Sequence, residues 1–437
     1  MAQNLDIVAA IRASVADGLA RQARLSEAAG GRRLGVDDQR ALARTIINRE
    51  LEAIAQRALS RGEEMLPDDD EEIIAQSVLD KVFGLGRLQR LLEDRGIANI
   101  IANGCDRVFL EYADGKKIPG PAIAEDDDEL IETIREIGRR QGLSEREFNP
   151  SHPSLNLQLS DGSRLFAVAW VTERPALAIR RHQYLKVTLD TLLQLGSIDR
   201  GLKSFLSAAI KAKQTILVAG PTNSGKTTLL RALINEIPSE ERIITVETEF
   251  ELGIDKFPEM HPDVVAMESR EANVEGAGAV PPSELVRMSL RMSPDRVIVG
   301  EVRGAEIIPM LNAMSQGNDG SMCTIHSDSS GSVFQKVAMY ALQSPERLAW
   351  DASMMLAASA IDMVVFQGRL SGGGRCVQSI RQVAGFDGNL VQTNELFRPG
   401  HDLRAVPGDP IPSHLLEKLI DAGYDPMFHQ SRDGWWN

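Results

Sequence analysis

Gly220-Pro221-Thr222-Asn223-Ser224-Gly225-Lys226-Thr227 fits G-x-x-x-x-G-K-[ST] at every fixed position. Before it runs a short β-branched stretch, Thr215 to Ala219 (TILVA). After it, Thr227 to Ile237 predicts a helix with Leu229, Leu230, Leu233 and Ile237 on one side, stopped by Pro238. Strand, glycine loop, helix is the arrangement that lets backbone N–H groups turn inward around phosphates, helped by the positive end of the helix dipole. In that arrangement Gly220 and Gly225 free the backbone. Lys226 reaches the β- and γ-phosphates, and the Thr227 hydroxyl is placed for Mg²⁺. Residues 220–228, Thr228 included, are therefore the expected ATP-binding segment.

A phosphate loop does not hydrolyse ATP alone; a carboxylate must order or deprotonate the attacking water. Two apolar runs end in acids. Arg242 to Glu247 (RIITVE) closes on Glu247, with Glu249 and Glu251 just beyond, and Asp295 to Glu301 (DRVIVGE) closes on Glu301. The position where an aspartate usually orders Mg²⁺ is Gly300, so Glu301 is expected to hold the metal's water shell and Glu247 to act as general base. A third run, Ser321 to His326 (SMCTIH), ends in His326. At the carboxyl end of a strand beside a phosphate loop, that histidine lies where ligands of such sheets bind, and a γ-phosphate sensor or subunit-interface role is expected.

Upstream, Ile7, Ile11, Val15 and Leu19 recur every four residues as the stripe of an amphipathic helix. A second helix is predicted from about Val36 to Arg61. Acids 68–72 suit the first turn of a third, running to Phe83. From Gly84 to about Gly196 the texture is mixed. Strands are expected at Ile100 to Ala102, Arg107 to Tyr112 and Ala176 to Arg181, and a helix at Glu129 to Gln141. Asn156 to Leu159 and Arg164 to Trp170 read as a hairpin about Asp161-Gly162, and Asn103-Gly104 and Asp114-Gly115 as turns. From Ser197 onward strands and helices alternate, which implies a mostly parallel sheet covered on both faces.

Composition sets outer bounds. The chain has 437 residues and a net charge of -14, and 43 % of its residues are hydrophobic. Its length predicts two or three domains, and its acidity argues against a broad nucleic-acid surface. Cys105, Cys323 and Cys376 lie far apart with no C-x-x-C, and the seven histidines lack metal-ligand spacing, so neither a disulfide framework nor a zinc site is expected. No apolar run approaches the ~18 residues of a membrane span. The first residues lack a basic start, so no signal peptide is expected. These features read as a cytoplasmic, multidomain protein.

In order, GPTNSGKTT, ITVETEFEL, SLRMSPDRVIVGEVRGAE and GNDGSMCTIHSDS resemble the Walker A, acidic box, Walker B and histidine box of the secretion ATPases, the motors of type II secretion, type IV pili and type IV secretion. Within them the chain is most similar to the CpaF/TadA branch of Tad (Flp) pilus ATPases, through FGLGRLQRLLEDRGIANIIANG, DRVFLEYADGK, LSDGSRL, AIRR and MESREANVEGAG. The resemblance covers residues ~70–395. It implies an α/β fold with a RecA-like P-loop core (197–437, with a β-rich and then helical extension from about Arg369), a smaller α/β domain (67–196) and a helical segment (1–66). It implies a homohexamer using ATP and Mg²⁺, docked peripherally at the cytoplasmic face of the plasma membrane through an inner-membrane platform protein, with no nucleic acid. Arginines of the N-terminal domain reach the phosphates in similar enzymes, pointing to Arg164 and to Arg180 or Arg181; Arg270 and Arg303 are further candidates. Thr248 stands where the acidic box usually has aspartate, Asn318 where a histidine is frequent, and Pro309 inside an expected helix, which it must either begin or kink. A RecA-like DNA translocase or a non-hydrolysing nucleotide-binding scaffold are the alternatives; the low aromatic content and acidity oppose the first, and Glu247 and Glu301 oppose the second.

Overall fold

Three helices open the chain, α1 (Ala2–Ala28), α2 (Val36–Arg61) and α3 (Asp68–Val82). Ile11, Val15, Ala43, Ile47, Ile74 and Val78 bury between them, as the four-residue stripe requires. The acids 68–72 open α3. These elements belong to a computed structural model that describes residues 2–28, 36–62, 67–82, 87–94, 96–112, 116–141, 148–159, 161–181, 186–270, 272, 276–370 and 372–430. The expected turn at Asp114-Gly115 lies outside the described residues.

Next come α4 (Leu88–Glu93), β1 (Ile97–Asn103), β2 (Val108–Tyr112), β3 (Lys117–Pro119), α5 (Asp127–Gln141), β4 (Ser154–Gln158), β5 (Arg164–Val168) and β6 (Ala176–Arg180). The six strands form one antiparallel sheet in the order β3-β2-β1-β6-β5-β4. The hairpin between β4 and β5 turns about Asp161-Gly162, where Gly162 takes φ 84 and the Asp161 carboxylate accepts from the Ser163 N–H at 2.9 Å. β5 is shorter than expected and ends before Trp170, which sits at φ 64. In the β5–β6 register Arg164 lies opposite Arg180.

The chain divides into two compact units, Met1–Gln183 and Tyr184–Asn437. The expected domain boundary at 196 therefore falls inside the second unit. The cause is α6 (Leu189–Gln194), a helix the sequence reading did not contain: Val187, Leu189 and Leu192 bury in the core of the second unit rather than in the antiparallel domain.

The second unit continues with α7 (Arg200–Lys211), β7 (Ile216–Gly220), α8 (Lys226–Ile234), β8 (Ile243–Glu247), β9 (Val264–Glu268), α9 (Pro282–Ser289), β10 (Arg296–Val302), α10 (Ile307–Ser315), β11 (Met322–His326), α11 (Val333–Gln343), α12 (Trp350–Ala360), β12 (Met363–Arg369), β13 (Arg375–Phe386), β14 (Val391–Pro399), β15 (Ala405–Pro407) and α13 (Ser413–Asp421). Nine strands lie in the order β15-β14-β13-β12-β7-β11-β10-β8-β9. The six from β12 to β9 run parallel, and β13, β14 and β15 continue the sheet antiparallel. Alternate residues serve opposite faces: Ile216 and Val218 pack in one hydrophobic cluster, Leu217 and Ala219 in the other. Both faces are covered, which is why the parallel strands read as unbroken apolar runs. Pro309 lies in the first turn of α10, where its missing N–H costs nothing.

Candidate active site

β11 lies between the strand that feeds the phosphate loop and the strand that ends in Glu301. The register pairs His326 with Gly220 on one side of β11 and Ile325 with Val302 on the other. The carboxyl ends of β7, β11, β10 and β8 are thus neighbours, and the residues expected from three separate motifs converge there.

The loop has the backbone its glycines imply. Gly225 caps the N-terminus of α8 at φ 92, and Asn223 takes φ 60. A Cβ on Gly220 would stand 2.2 Å from the Gln367 carbonyl oxygen and 2.7 Å from Ser224 Oγ, so no larger residue fits. Ser224 is fully buried and its hydroxyl has no hydrogen-bond partner in the protein. A glycine cradle with an orphaned buried hydroxyl inside it suits a phosphate, which offers acceptors to both.

Lys226 is 7 % exposed and donates to the Pro221 carbonyl at 3.0 Å and to His326 Nδ1 at 3.1 Å. On its far side, His326 Nε2 lies 2.6 Å from Glu301 Oε1, and the other Glu301 oxygen accepts from Arg303 Nε at 2.8 Å. The result is a row of close contacts, Lys226–His326–Glu301–Arg303, in which the His326–Glu301 step is a short approach and the other two are hydrogen bonds. Burial, and then the Lys226 cation, push the His326 pKa down, so the ring is neutral near pH 7. A neutral ring that accepts at Nδ1 carries its proton on Nε2, facing Glu301. Burial likewise lowers the Lys226 pKa, against the pull of Glu301.

Glu301 reaches His326 because β10 bulges. Between Val299 and Val302 β10 advances three residues while β11 advances two, from Cys323 to Ile325. The extra residue re-aims the strand end, as bulges beside functional sites do. Gly300 sits in this bulge, its carbonyl accepting from Thr324 Oγ1 at 2.7 Å, and a Cβ there would press on Glu247 Cγ at 3.3 Å. Glycine in place of the usual aspartate therefore makes room for Glu247.

Glu247 is 2 % exposed. One carboxylate oxygen accepts from the Glu251 and Leu252 N–H groups at 2.7 and 2.8 Å, and the other from Thr245 Oγ1 at 3.0 Å. Burial raises its pKa despite these bonds. One oxygen thus holds the loop after β8, and the other is taken by Thr245 of β8 itself. Thr248 and Asn318, the two departures from the expected motifs, serve the backbone: the Thr248 carbonyl accepts from Ser269 Oγ at 3.1 Å and Asn318 Nδ2 donates to the Pro294 carbonyl at 2.8 Å.

Among the described arginines of the second unit, Arg303 joins this row of contacts. Arg270 donates to the Gly278 carbonyl at 2.7 Å. Arg164, Arg180 and Arg181 lie in the first unit, where Arg181 donates to the Asp94 carbonyl at 2.5 Å. One arginine at the loop went unnoticed in the sequence: Arg375, at the start of β13, donates to Asn223 Oδ1 at 2.7 Å.

A family model for type II/IV secretion system proteins matches residues 83–383. The chain belongs to this family. Membership makes it a secretion-system ATPase, with nucleotide as its ligand class. A Mycobacterium tuberculosis protein named for conjugal transfer is 30 % identical over 333 residues, covering 74 % of this chain and 91 % of its own length. The type IV secretion system protein VirB11 of Brucella suis is 29 % identical over 334 residues, covering 70 % and 90 %. The crystal structure of the Brucella suis VirB11 ATPase in complex with sulphate matches with 26 % identity and a TM-score of 0.37, covering 68 % of this chain and 95 % of that one. The family match spans both the antiparallel domain and the strands that carry Lys226, Glu301 and His326.

Proposed function

We propose that this secretion-system ATPase is a homohexameric motor of the CpaF/TadA kind, which hydrolyses ATP at the cytoplasmic face of the plasma membrane and drives Tad or type IV pilus assembly or retraction, or protein secretion, through an inner-membrane platform protein. The observation that carries the hydrolytic part is the Lys226–His326–Glu301 chain, which ties the phosphate loop to an acid at the adjacent strand end. The branch-specific stretches of the sequence support the pilus part. No helix among the described residues is long and apolar enough to cross a membrane, which suits docking through a partner.

The residues divide the work by their chemistry. Lys226 and the backbone N–H groups of residues 220–228 would hold the β- and γ-phosphates, and Ser224 Oγ would gain the partner it lacks. The Thr227 hydroxyl and the Glu301 carboxylate, both hard oxygen donors, would hold Mg²⁺, the latter through water. ATP and Mg²⁺ supply the transferable phosphoryl group and a Lewis acid at its oxygens. When Lys226 turns to the γ-phosphate, His326 Nδ1 loses its donor and would have to take up a proton before it could donate to that phosphate, with Nε2 still facing Glu301. Because both oxygens of Glu247 are engaged, one by the loop after β8 and the other by Thr245, the water-ordering role expected of it passes to Glu301, with Glu247 keeping that loop in place. Arg164 and Arg180 or Arg181 would supply phosphate-directed cations from the antiparallel domain.

Phosphate release by the purified full-length chain tests the reading. Lys226→Ala and Glu301→Gln are each expected to cut turnover on the order of a hundredfold or more, as removal of groups that act on transition-state charge does, while leaving thermal unfolding unchanged. Near-wild-type turnover in either variant refutes the site. Particle imaging with and without a nonhydrolysable ATP analogue should show six-fold rings whose antiparallel domains change position. Saturable, salt-sensitive DNA binding that stimulates turnover would instead favour a translocase.

A further inference from the structure

We propose that Arg375 is a nucleotide-binding residue, whose guanidinium exchanges Asn223 for the phosphates of a nucleoside di- or triphosphate. The inference rests on reading residues 220–228 as a phosphate loop.

The first observation is its position. Arg375 donates from Nη2 to Asn223 Oδ1 at 2.7 Å, and its Cδ would be 3.2 Å from a Cβ on Gly225, so the side chain lies across the residue that caps α8. That end of α8 already carries the positive end of the helix dipole and the buried Lys226 ammonium. Arg375 adds an exposed cation at that end, where an anion would meet all three groups. Among the described residues no carboxylate pairs with Arg375; its hydrogen-bonded partner is the neutral Asn223 amide. An arginine laid across the residue that caps α8, on a neutral partner, can turn to an anionic ligand without breaking an ion pair.

The second observation is the neighbouring strand. Gln367 of β12 is 3 % exposed, and its Oε1 is buried with no hydrogen-bond partner. Its backbone carbonyl closes over Gly220, and its Nε2 lies 3.7 Å from a Cβ on Gly225. The unpartnered oxygen is an acceptor, which a water or a ligand hydroxyl would meet, whereas the Nε2 donor turned toward Gly225 is the group that suits a phosphate oxygen. The antiparallel pairing of β12 with β13 brings both side chains to the loop, with Gln367 opposite Val377 and Arg369 opposite Arg375.

The Arg375 backbone is fixed while its side chain is free to exchange. Ser197 Oγ donates to the Arg375 carbonyl at 2.7 Å, and the Val377 N–H donates to the Ser197 carbonyl at 3.0 Å, pinning the start of β13. The residue itself is exposed. Loss of a charge-assisted contact to phosphate predicts a weakening of about tenfold.

The test uses the purified full-length chain and three variants, Arg375→Ala, Arg375→Lys and Arg375→Gln, the last keeping much of the stem over Gly225. ADP affinity is measured by displacement of a fluorescent ADP analogue, and kcat and KM by phosphate release from ATP. The expected result is about tenfold weaker ADP binding and a similar rise in KM for Ala and Gln, with a much smaller change in kcat and partial recovery in Lys. The melting temperature without nucleotide should stay at the wild-type value, while its rise on adding ADP shrinks. Wild-type ADP affinity in Ala and Gln overturns the proposal, and so does a fall in nucleotide-free melting temperature that accounts for the whole effect. Lys226→Ala separates the two levels: full turnover in that variant sinks the phosphate-loop reading itself, whereas a dead Lys226→Ala beside a normal Arg375→Ala sinks only the role of Arg375.

Discussion

Replacing Arg296 by methionine should destabilise the second unit by about 3–5 kcal/mol, the range for breaking one side of a buried ion pair. Arg296 opens β10, the strand that ends in Glu301, and is fully buried. Its Nε and Nη2 donate to the two oxygens of Glu241 at 2.8 and 2.9 Å, and its guanidinium also serves the carbonyls of Ile210 at 3.0 Å and Gly320 at 3.2 Å. Two charge-assisted bonds at roughly 1.5 kcal/mol or more each, plus two carbonyls left without a donor at roughly 1 kcal/mol each, come to about 5 kcal/mol. Glu241 keeps a side-chain exposure of 12 % and has Lys213 at 3.5 Å, so partial rehydration brings the figure toward the lower end. Burial alone would raise the Glu241 pKa; Arg296 and Lys213 outweigh it and lower it. The double variant Arg296→Met with Glu241→Gln should recover much of the loss, because an apolar or neutral replacement of the whole pair is far cheaper than an orphaned charge. Urea unfolding followed by tryptophan fluorescence and circular dichroism measures both. A single variant within about 1 kcal/mol of wild type, or a double variant worse than the single, refutes the assignment of Arg296 as a net-stabilising anchor.

Three further outcomes follow from contacts at the site. Gly220→Ala would set a methyl 2.2 Å from a backbone carbonyl; the forced shift should cost about 1–3 kcal/mol and weaken ADP binding more than tenfold, and a normal ADP titration would show that the loop does not need this glycine. Glu247→Ala strands the N–H groups of Glu251 and Leu252, predicting a loss of about 2–4 kcal/mol, whereas Glu247→Gln retains acceptors and should lose less. Equal unfolding midpoints for wild type and the alanine variant would contradict the anchoring role. His326 has a folded pKa depressed below the ordinary 6.5 by burial and by Lys226. The unfolded chain therefore takes up a proton that the folded site resists, so the contribution of this contact is present above about pH 6.5 and lost as pH falls. Unfolding midpoints at pH 7.5 and 5.5 should show wild type losing more stability than His326→Gln on acidification; parallel losses would remove the histidine from the linkage.

The phosphate loop was legible because its glycines, lysine and threonine act through backbone and hydroxyl geometry that few other residues can provide. Glu301 and His326 were legible because each closes an apolar run that had to be a buried parallel strand. The contacts that join them were not. The bulge at Gly300 depends on how β10 pairs with β11, which no single strand encodes. The two backbone bonds to Glu247 depend on a turn after β8, which the place of this acid at the end of an apolar run does not reveal. α6 escaped because its capping box is Thr188 with Thr191, lacking the glutamate or glutamine that usually marks one. That missed helix also displaced the domain boundary from 183 to 196. Arg375 and Gln367 were invisible for a topological reason: they reach the loop only through the pairing of β12 with β7 and β13.

The hold of Pro221 and His326 on Lys226 bears on turnover as well as on binding. With two of its three N–H donors engaged, the ammonium offers an arriving phosphate one free donor, and any further contact comes by substitution, at the cost of what it displaces. The same two acceptors wait beside the lysine when product is present. As ADP begins to leave, they replace its oxygens one at a time, and the ammonium never passes through an unpaired state. The barrier to departure falls by the same exchange that weakened capture. In an ATPase that turns over repeatedly, a site that readily gives up its product does not stall with its phosphate loop filled.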